Sequence, residues 1–162
     1  MFVTEPQVQR LAADDWAQLR DARLAALADA PYAFQSTLAR EQQFTEQTWR
    51  ERIGSASTFA AWDKDAIVGL ATGIDEGPGW HLVGMWVSPK QRGSGVADQL
   101  VSAVCELARQ SGATSVRLWV TEENGRARAF YRRLGFVPSG SRQLVRPEDP
   151  DRWEQELVLR LH

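Results

Sequence analysis

Residues 82–100 read LVGMWVSPKQRGSGVADQL, and this stretch constrains the chain more than any other. Its apolar opening, Leu82 to Val87, has the character of a strand. Ser88 and Pro89 stop the strand, and a helical pattern begins near Gly95. Strand, turn and helix therefore meet at Gly93 and Gly95. Without a Cβ at these positions, the backbone of Arg92 to Ala97 is free to curl and bring successive N–H groups together. The first amides of a helix lack intrahelical acceptors and lie at its positive end, so such a turn suits a bound anion, with Lys90 and Arg92 adding full charges nearby. The dinucleotide fingerprint needs a third glycine where Asp98 stands, and the phosphate loop of nucleotide hydrolases needs a lysine where Val96 stands. A plain glycine turn opening an ordinary helix is the other reading of this segment alone.

The other bounds are broad. A chain of 162 residues, 43% hydrophobic and 25% charged, suits one domain with its own core. No apolar run approaches a membrane span, and Met1 to Arg10 has neither a basic start nor an apolar signal core, so a cytoplasmic protein without membrane partners is expected. A net charge of −2 argues against broad nucleic-acid binding. Cys105 has no second cysteine to pair with and falls in the apolar stripe of a helix, where a small buried core residue is expected. With His81 and His162 the only histidines, no metal site is expected.

Periodicity orders the elements. Gln7 to Leu11 alternates as an edge strand, and Asp14 is placed to cap a helix carrying Trp16, Leu19, Leu24 and Leu27. A short aromatic link, Tyr32 to Phe34, follows. Thr45 caps a second helix reaching Ile53. Thr58 to Trp62 and Ala66 to Ile74 form a hairpin, with Gly69 and Gly73 marking bulges or close approach. In the strand Trp80 to Val87, strict alternation puts His81, Val83, Met85 and Val87 on one face. The helix after the glycines ends at Ser111 and Gly112. A strand with Val116, Leu118 and Val120 follows, parallel to its predecessor if the connection is a right-handed crossover. Asn124 caps a last helix, Gly125 to Leu134. A loop rich in Pro, Ser and Arg then leads to the strand Trp153 to Leu161.

Two motifs resemble the GNAT N-acetyltransferases. Arg92, Gly95 and Ala97 fit the acyl-CoA loop of that family, and NGRARAFYRRLGF fits its other signature through Asn124, Ala127, Phe130, Tyr131, Gly135 and Phe136. The two occur in the family's order with one strand and one helix between them. The resemblance covers about residues 59–137. It implies an α/β fold with a mixed sheet of six or seven strands, splayed central parallel strands and about four flanking helices. It also implies a single domain over 1–162: about 1–56 a variable acceptor-binding part, about 57–137 the acetyl-CoA-binding core, and 138–162 a C-terminal loop and strand.

The resemblance further implies that acetyl-CoA is the acyl-donor cosubstrate, its pantetheine arm pairing with Met85, Trp86 and Val87 and its pyrophosphate meeting Arg92, Gly93, Ser94, Gly95, Val96 and Ala97, with Asn124 and Tyr131 also on the cofactor side. Tyr131 matches the family's general acid. The backbone N–H of Val87 or a strand neighbour is the expected oxyanion donor. For a base, His81 stands where several members carry a carboxylate, on the face assigned to Met85; Glu122 and Glu123 are in reserve. Tyr32, Phe34 and Trp49, together with Trp86 or Trp119, are expected to wall an acceptor pocket suited to an amine of a small molecule or peptide, its cation resting on aromatic rings. The arginines at 126, 128, 132 and 133 are candidates for the adenosine 3′-phosphate. A homodimer is a possible assembly. A non-catalytic acyl-CoA-binding or sensor module is the alternative to an enzyme.

Overall fold

Seven strands account for the alternating segments: β1 (Gln7–Arg10), β2 (Ser57–Asp63), β3 (Ala66–Asp75), β4 (Gly79–Val87), β5 (Ser115–Thr121), β6 (Val137–Leu144) and β7 (Trp153–Arg160). The computed structural model describes residues 5–162 and joins them in one mixed sheet of order β1-β2-β3-β4-β5-β7-β6. Residues 1–4, the start of the segment assigned to the acceptor, lie outside the described residues. Five α-helices flank the sheet: α1 (Trp16–Asp29), the single turn α2 (Leu38–Glu41), α3 (Glu46–Ser55), α4 (Val96–Gln110) and α5 (Gly125–Arg133).

The two faces bury separate cores. On one, Val96, Leu100, Val101, Val104 and Ala108 of α4 pack with Trp80, Leu82, Val116, Leu118, Tyr131 and Phe136. A Cβ on Gly73 would come within 2.9 Å of Val104 Cγ1, so the glycine there permits close approach of α4 to β3. On the other face, Leu19, Ala26 and Leu27 of α1 and Trp49 and Ile53 of α3 meet Ala60, Leu70 and Trp86. Cys105 is buried as expected, and burial pushes its thiol up to about 11.

Two features of β4 shape everything that follows. It pairs in parallel with β5 over Gly79↔Ser115, Trp80↔Val116 and His81↔Arg117 alone, after which the strands part. Against β3, the register jumps from Leu70↔Trp86 to Thr72↔Val83, so Gly84 and Met85 together face a single residue, Ala71. This bulge turns on Gly84, whose φ of +64° lies in the left-handed region.

The bulge corrects the period-two reading. His81 and Val83 face the α1 side, whereas Met85 packs into the α4 core and Trp86 into the α1 core. His81 and Met85 therefore do not share a face, because the extra residue reverses the alternation beyond it. Asp14 is not the helix cap either. A 3₁₀ turn over Ala13–Asp15 comes first; Asp15 accepts the Ala12 N–H at 2.8 Å, and Asp14 turns out to Arg50. The segment read as a Pro, Ser and Arg loop contains β6. It is an edge strand, which tolerates Pro138, and its pairing with β7 shifts register between Pro138 and Arg142. Thr45 and Asn124 do cap their helices, accepting from Thr48 N (3.2 Å) and Ala127 N (3.1 Å).

Gly84→Val forces a β-branched residue into left-handed backbone and should destabilise the fold by about 2 kcal/mol in urea unfolding. An unchanged midpoint would show that the bulge does not depend on this glycine.

Candidate active site

The site begins where β4 and β5 part. Leu82 to Val87 keep β3 on one side and Leu118 to Thr121 keep β7 on the other, but the edges that face one another have no ladder between them. Backbone groups on such edges are unsatisfied until another chain-like molecule pairs with them. At the C-terminal mouth of this gap, Gly93 (φ +83°) and Gly95 (φ +91°) adopt left-handed backbone, and α4 starts at Val96. A Cβ on either glycine would meet no protein atom within 4 Å, so they line open space. Ser94 N turns back on Gln91 O, whereas the amides of Gly93, Gly95, Val96 and Ala97 have no acceptor among the described residues. These are the donors of the expected anion cradle.

Arg92 behaves differently from the expectation. Its side chain donates to the Asp29 carboxylate at the end of α1 and, through Nε, to Val87 O (3.2 Å), and Asp29 also accepts from Trp86 Nε1 (3.1 Å). The guanidinium thus ties the cradle to α1 and β4, leaving the cradle's backbone to face the gap.

Tyr131 lies on α5, 7% exposed, its ring edge-on to Phe130 (5.0 Å between centroids) and Phe136 (5.7 Å). Burial pushes its phenol well above the ordinary value, so it holds its proton throughout the physiological range.

Across the sheet is a cleft of about 850 Å³. Its floor includes Thr72, His81, Val83, Gly84 and Trp119, and its sides come from α1, the 33–37 segment and the connection between β6 and β7. His81 is held below the usual imidazole value, first by burial and then by Arg117, against the opposing pull of Glu76 and Glu156; it is neutral at pH 7. Glu76 Oε1 lies 3.8 Å from His81 Nδ1. The reserve carboxylates are engaged elsewhere, Glu122 with Arg142 (2.6 and 2.7 Å) and Glu123 with Arg152 (2.8 Å).

Of the aromatic residues assigned to the acceptor, Phe34 and Trp119 line the cleft. Tyr32 is 54% exposed outside it, and Trp86 is buried in the α1 core. Trp49 is fully buried outside the cleft, with Arg52 over its ring at 5.3 Å, and in the cleft Arg23 already stacks on Phe34 at 4.7 Å. Several polar residues here were missed in the sequence. Glu41, fully buried, binds Arg23 through both oxygens (2.9 and 3.0 Å) and Arg52 (2.9 Å). Glu154, 5% exposed, accepts from Gln35 Nε2 (3.0 Å) and Gln143 Nε2 (2.7 Å). Arg146 donates to the carbonyls of Phe34 and Gln35, both at 3.0 Å. Their partners lie far away in sequence, and only an inward-facing carboxylate in an apolar strand hinted at Glu154.

An anion cradle at the mouth of an opened parallel pair, with a second cleft reaching the same strands from across the sheet, is the layout of a protein that brings two ligands together. Residues 16–136, more than half the chain, match the Acetyltransferase (GNAT) family, and the chain belongs to that family. It is 32% identical over 90 residues to the uncharacterized N-acetyltransferase YobR of Bacillus subtilis (54% of this chain, 36% of that one). It is 33% identical over 79 residues to the mycothiol acetyltransferase of Beutenbergia cavernae (40% of this chain, 27% of that one). The chain thus spans about a quarter to a third of the length of these relatives. Among solved structures, it superposes on a GNAT-family acetyltransferase from Streptococcus pneumoniae with a TM-score of 0.81 at 17% identity (98% of this chain, 100% of that one). Against yncA of Salmonella typhimurium, determined with acetyl-CoA, the TM-score is 0.80 at 13% identity (98% and 95%). These last two likenesses establish a shared fold.

Burial raises the Glu41 carboxyl, but the hydrogen bonds from Arg23 and Ser36 and the charges of Arg23 and Arg52 outweigh it and hold the group below its ordinary value. Its folded value is depressed, so its contribution is present above the unfolded carboxylate value near 4.5 and fades as pH falls through the lower folded value. Glu41→Gln should destabilise the protein by about 3 kcal/mol at pH 7 and flatten the acid side of the stability profile. Equal urea midpoints for variant and parent at pH 7 would remove this ion cluster from the stability of the cleft wall.

Proposed function

We propose that the protein is an acetyl-CoA-dependent N-acetyltransferase that moves an acetyl group to a primary amine of a small molecule or peptide by direct attack. The observation that carries this reading is the unpaired gap between β4 and β5 ending on the glycine cradle. The residues present fit acetyl-CoA: backbone edges free to pair with an amide-bearing arm, and free amides in open space for a diphosphate. When bound, acetyl-CoA supplies the activated thioester.

The chain's own groups then have distinct tasks. Unpaired backbone of Leu82 to Val87 binds and aligns the arm, and the amides of Gly93, Gly95, Val96 and Ala97 take up negative charge. The backbone N–H of Val87, or of a neighbour on β4, serves as the oxyanion donor, and the bulge supports this by leaving Gly84 and Met85 outside the β3 ladder. Tyr131 keeps its proton and offers it to the sulfur as the C–S bond breaks. His81, neutral at pH 7, accepts the proton released by the amine, directly or through water. The acceptor is enclosed by the segment up to about residue 56 together with residues 145–154, so the C-terminal part joins in a task first assigned to the N-terminal third. A cytoplasmic location belongs to the same reading. Among the described residues, no helix is long and apolar enough to cross a membrane.

Incubation with acetyl-CoA and an amine panel, with free thiol as the readout, tests the activity; binding without release for any amine would favour a sensor module. Tyr131→Phe should lower kcat roughly a hundredfold while leaving acetyl-CoA affinity nearly unchanged. Unaltered kcat would exclude the phenol as the acid. Because burial depresses His81, the acidic limb of kcat, measured at saturating amine, should fall below pH 6.5 and disappear in His81→Ala. The same limb in both proteins would return His81 to a structural role.

A further inference from the structure

The walls of the cleft carry different charges. Arg23, Arg40 and Arg52 stand on the helical side, Glu154 and His81 on the sheet side, and Arg146 and Glu148 on the connection between β6 and β7. Arg23 and Arg52 share one carboxylate, Glu41. Among the described residues, Arg40 has no carboxylate partner: it reaches the neutral Ser36 hydroxyl at 3.5 Å and lies over the Phe44 ring at 5.7 Å, and Arg146 is bonded to backbone carbonyls. The helical wall is therefore short of negative charge. Arg52 reflects this: burial and the neighbouring Arg23 and Arg40 hold its guanidinium below the ordinary value, although Glu41 pulls the other way. The surplus also reaches the bulge, since Arg23 Nη1 lies 3.8 Å from the position of a Cβ on Gly84.

A simple cation is a poor occupant beside the helical wall, where Arg23 already covers the Phe34 ring. On the opposite wall, Glu154 is buried with neutral amide partners alone, Gln35 and Gln143. A buried carboxylate without a cation is costly, and an arriving amine relieves that cost. We propose that the acceptor is a small amine bearing its own anionic group, a carboxylate or phosphate, seated against Arg40 and the Arg23–Arg52 pair with its amine turned to the sheet beside Glu154 and His81. This inference rests on the transferase reading above.

Matched amines that differ by one anionic group test it, with thiol release from acetyl-CoA as the readout: phenethylamine against phenylalanine, tyramine against tyrosine, cadaverine against lysine, and ethanolamine against phosphoethanolamine. The anionic member of at least one pair is expected to show kcat/KM roughly tenfold higher or more, as a charge-assisted contact gives. The carboxylate and phosphate pairs distinguish the two anions. Arg40→Glu should collapse that ratio and Arg40→Lys should restore most of it, with acetyl-CoA affinity by calorimetry the same in all three proteins. Neutral members turned over as well as or better than their partners, or a ratio that Arg40→Glu does not move, would overturn the anionic acceptor and leave the transferase standing. Acetyl-CoA binding with no thiol release from any amine would remove the transferase reading, and this inference with it.

Discussion

The backbone hydrogen bonds that β4 and β5 do not make are the constraint on which the rest of the structure turns. Each strand is fixed on its outer side, β4 to β3 and β5 to β7, and the two touch only through His81 and Arg117 and the pairs before them. Beyond that point, closing the gap would require strands already committed elsewhere to bend back together. The bulge at Gly84 works against closure, since it twists β4 and moves Met85 to the face opposite His81 and Val83. The open edges and the glycine cradle at their mouth are therefore built by the same strand, and a ligand that spans both meets a prearranged surface.

The cleft across the sheet is assembled from the two ends of the chain. Arg146 holds the carbonyls of Phe34 and Gln35, Arg152 donates to Tyr32 O, and Gln35 binds Glu154. These contacts fasten the segment after α1 to β7 and to the connection between β6 and β7. Asp29 makes a comparable link on the other side, joining the end of α1 to Arg92 of the cradle and to Trp86. Helix α1 thus contacts both ligand regions, contributing Arg23 to one and Asp29 to the other.

Charge illustrates how little a total reveals. The chain carries −2 overall, yet the cleft's helical wall concentrates arginines around the buried carboxylate of Glu41. Arg23, Arg40 and Arg52 come from three separate helices, and nothing in their sequence spacing announces that they converge.

Local sequence determined the strands, the glycine turn, the caps at Thr45 and Asn124, and the order of motifs that identified the family, because each depends on periodicity or on a backbone preference expressed within a few residues. It also placed Tyr131 on the last helix and the glycine turn directly ahead of α4. The tertiary structure decided the bulge that separates His81 from Met85, the pairing that made a strand of Val137–Leu144, the diversion of Arg92 to Asp29, and the joining of Glu41, Glu154 and Arg146 to one cleft. These features rest on contacts between residues distant in the chain, where the side chain that satisfies a charge or an edge comes from another element, and no local pattern encodes which one.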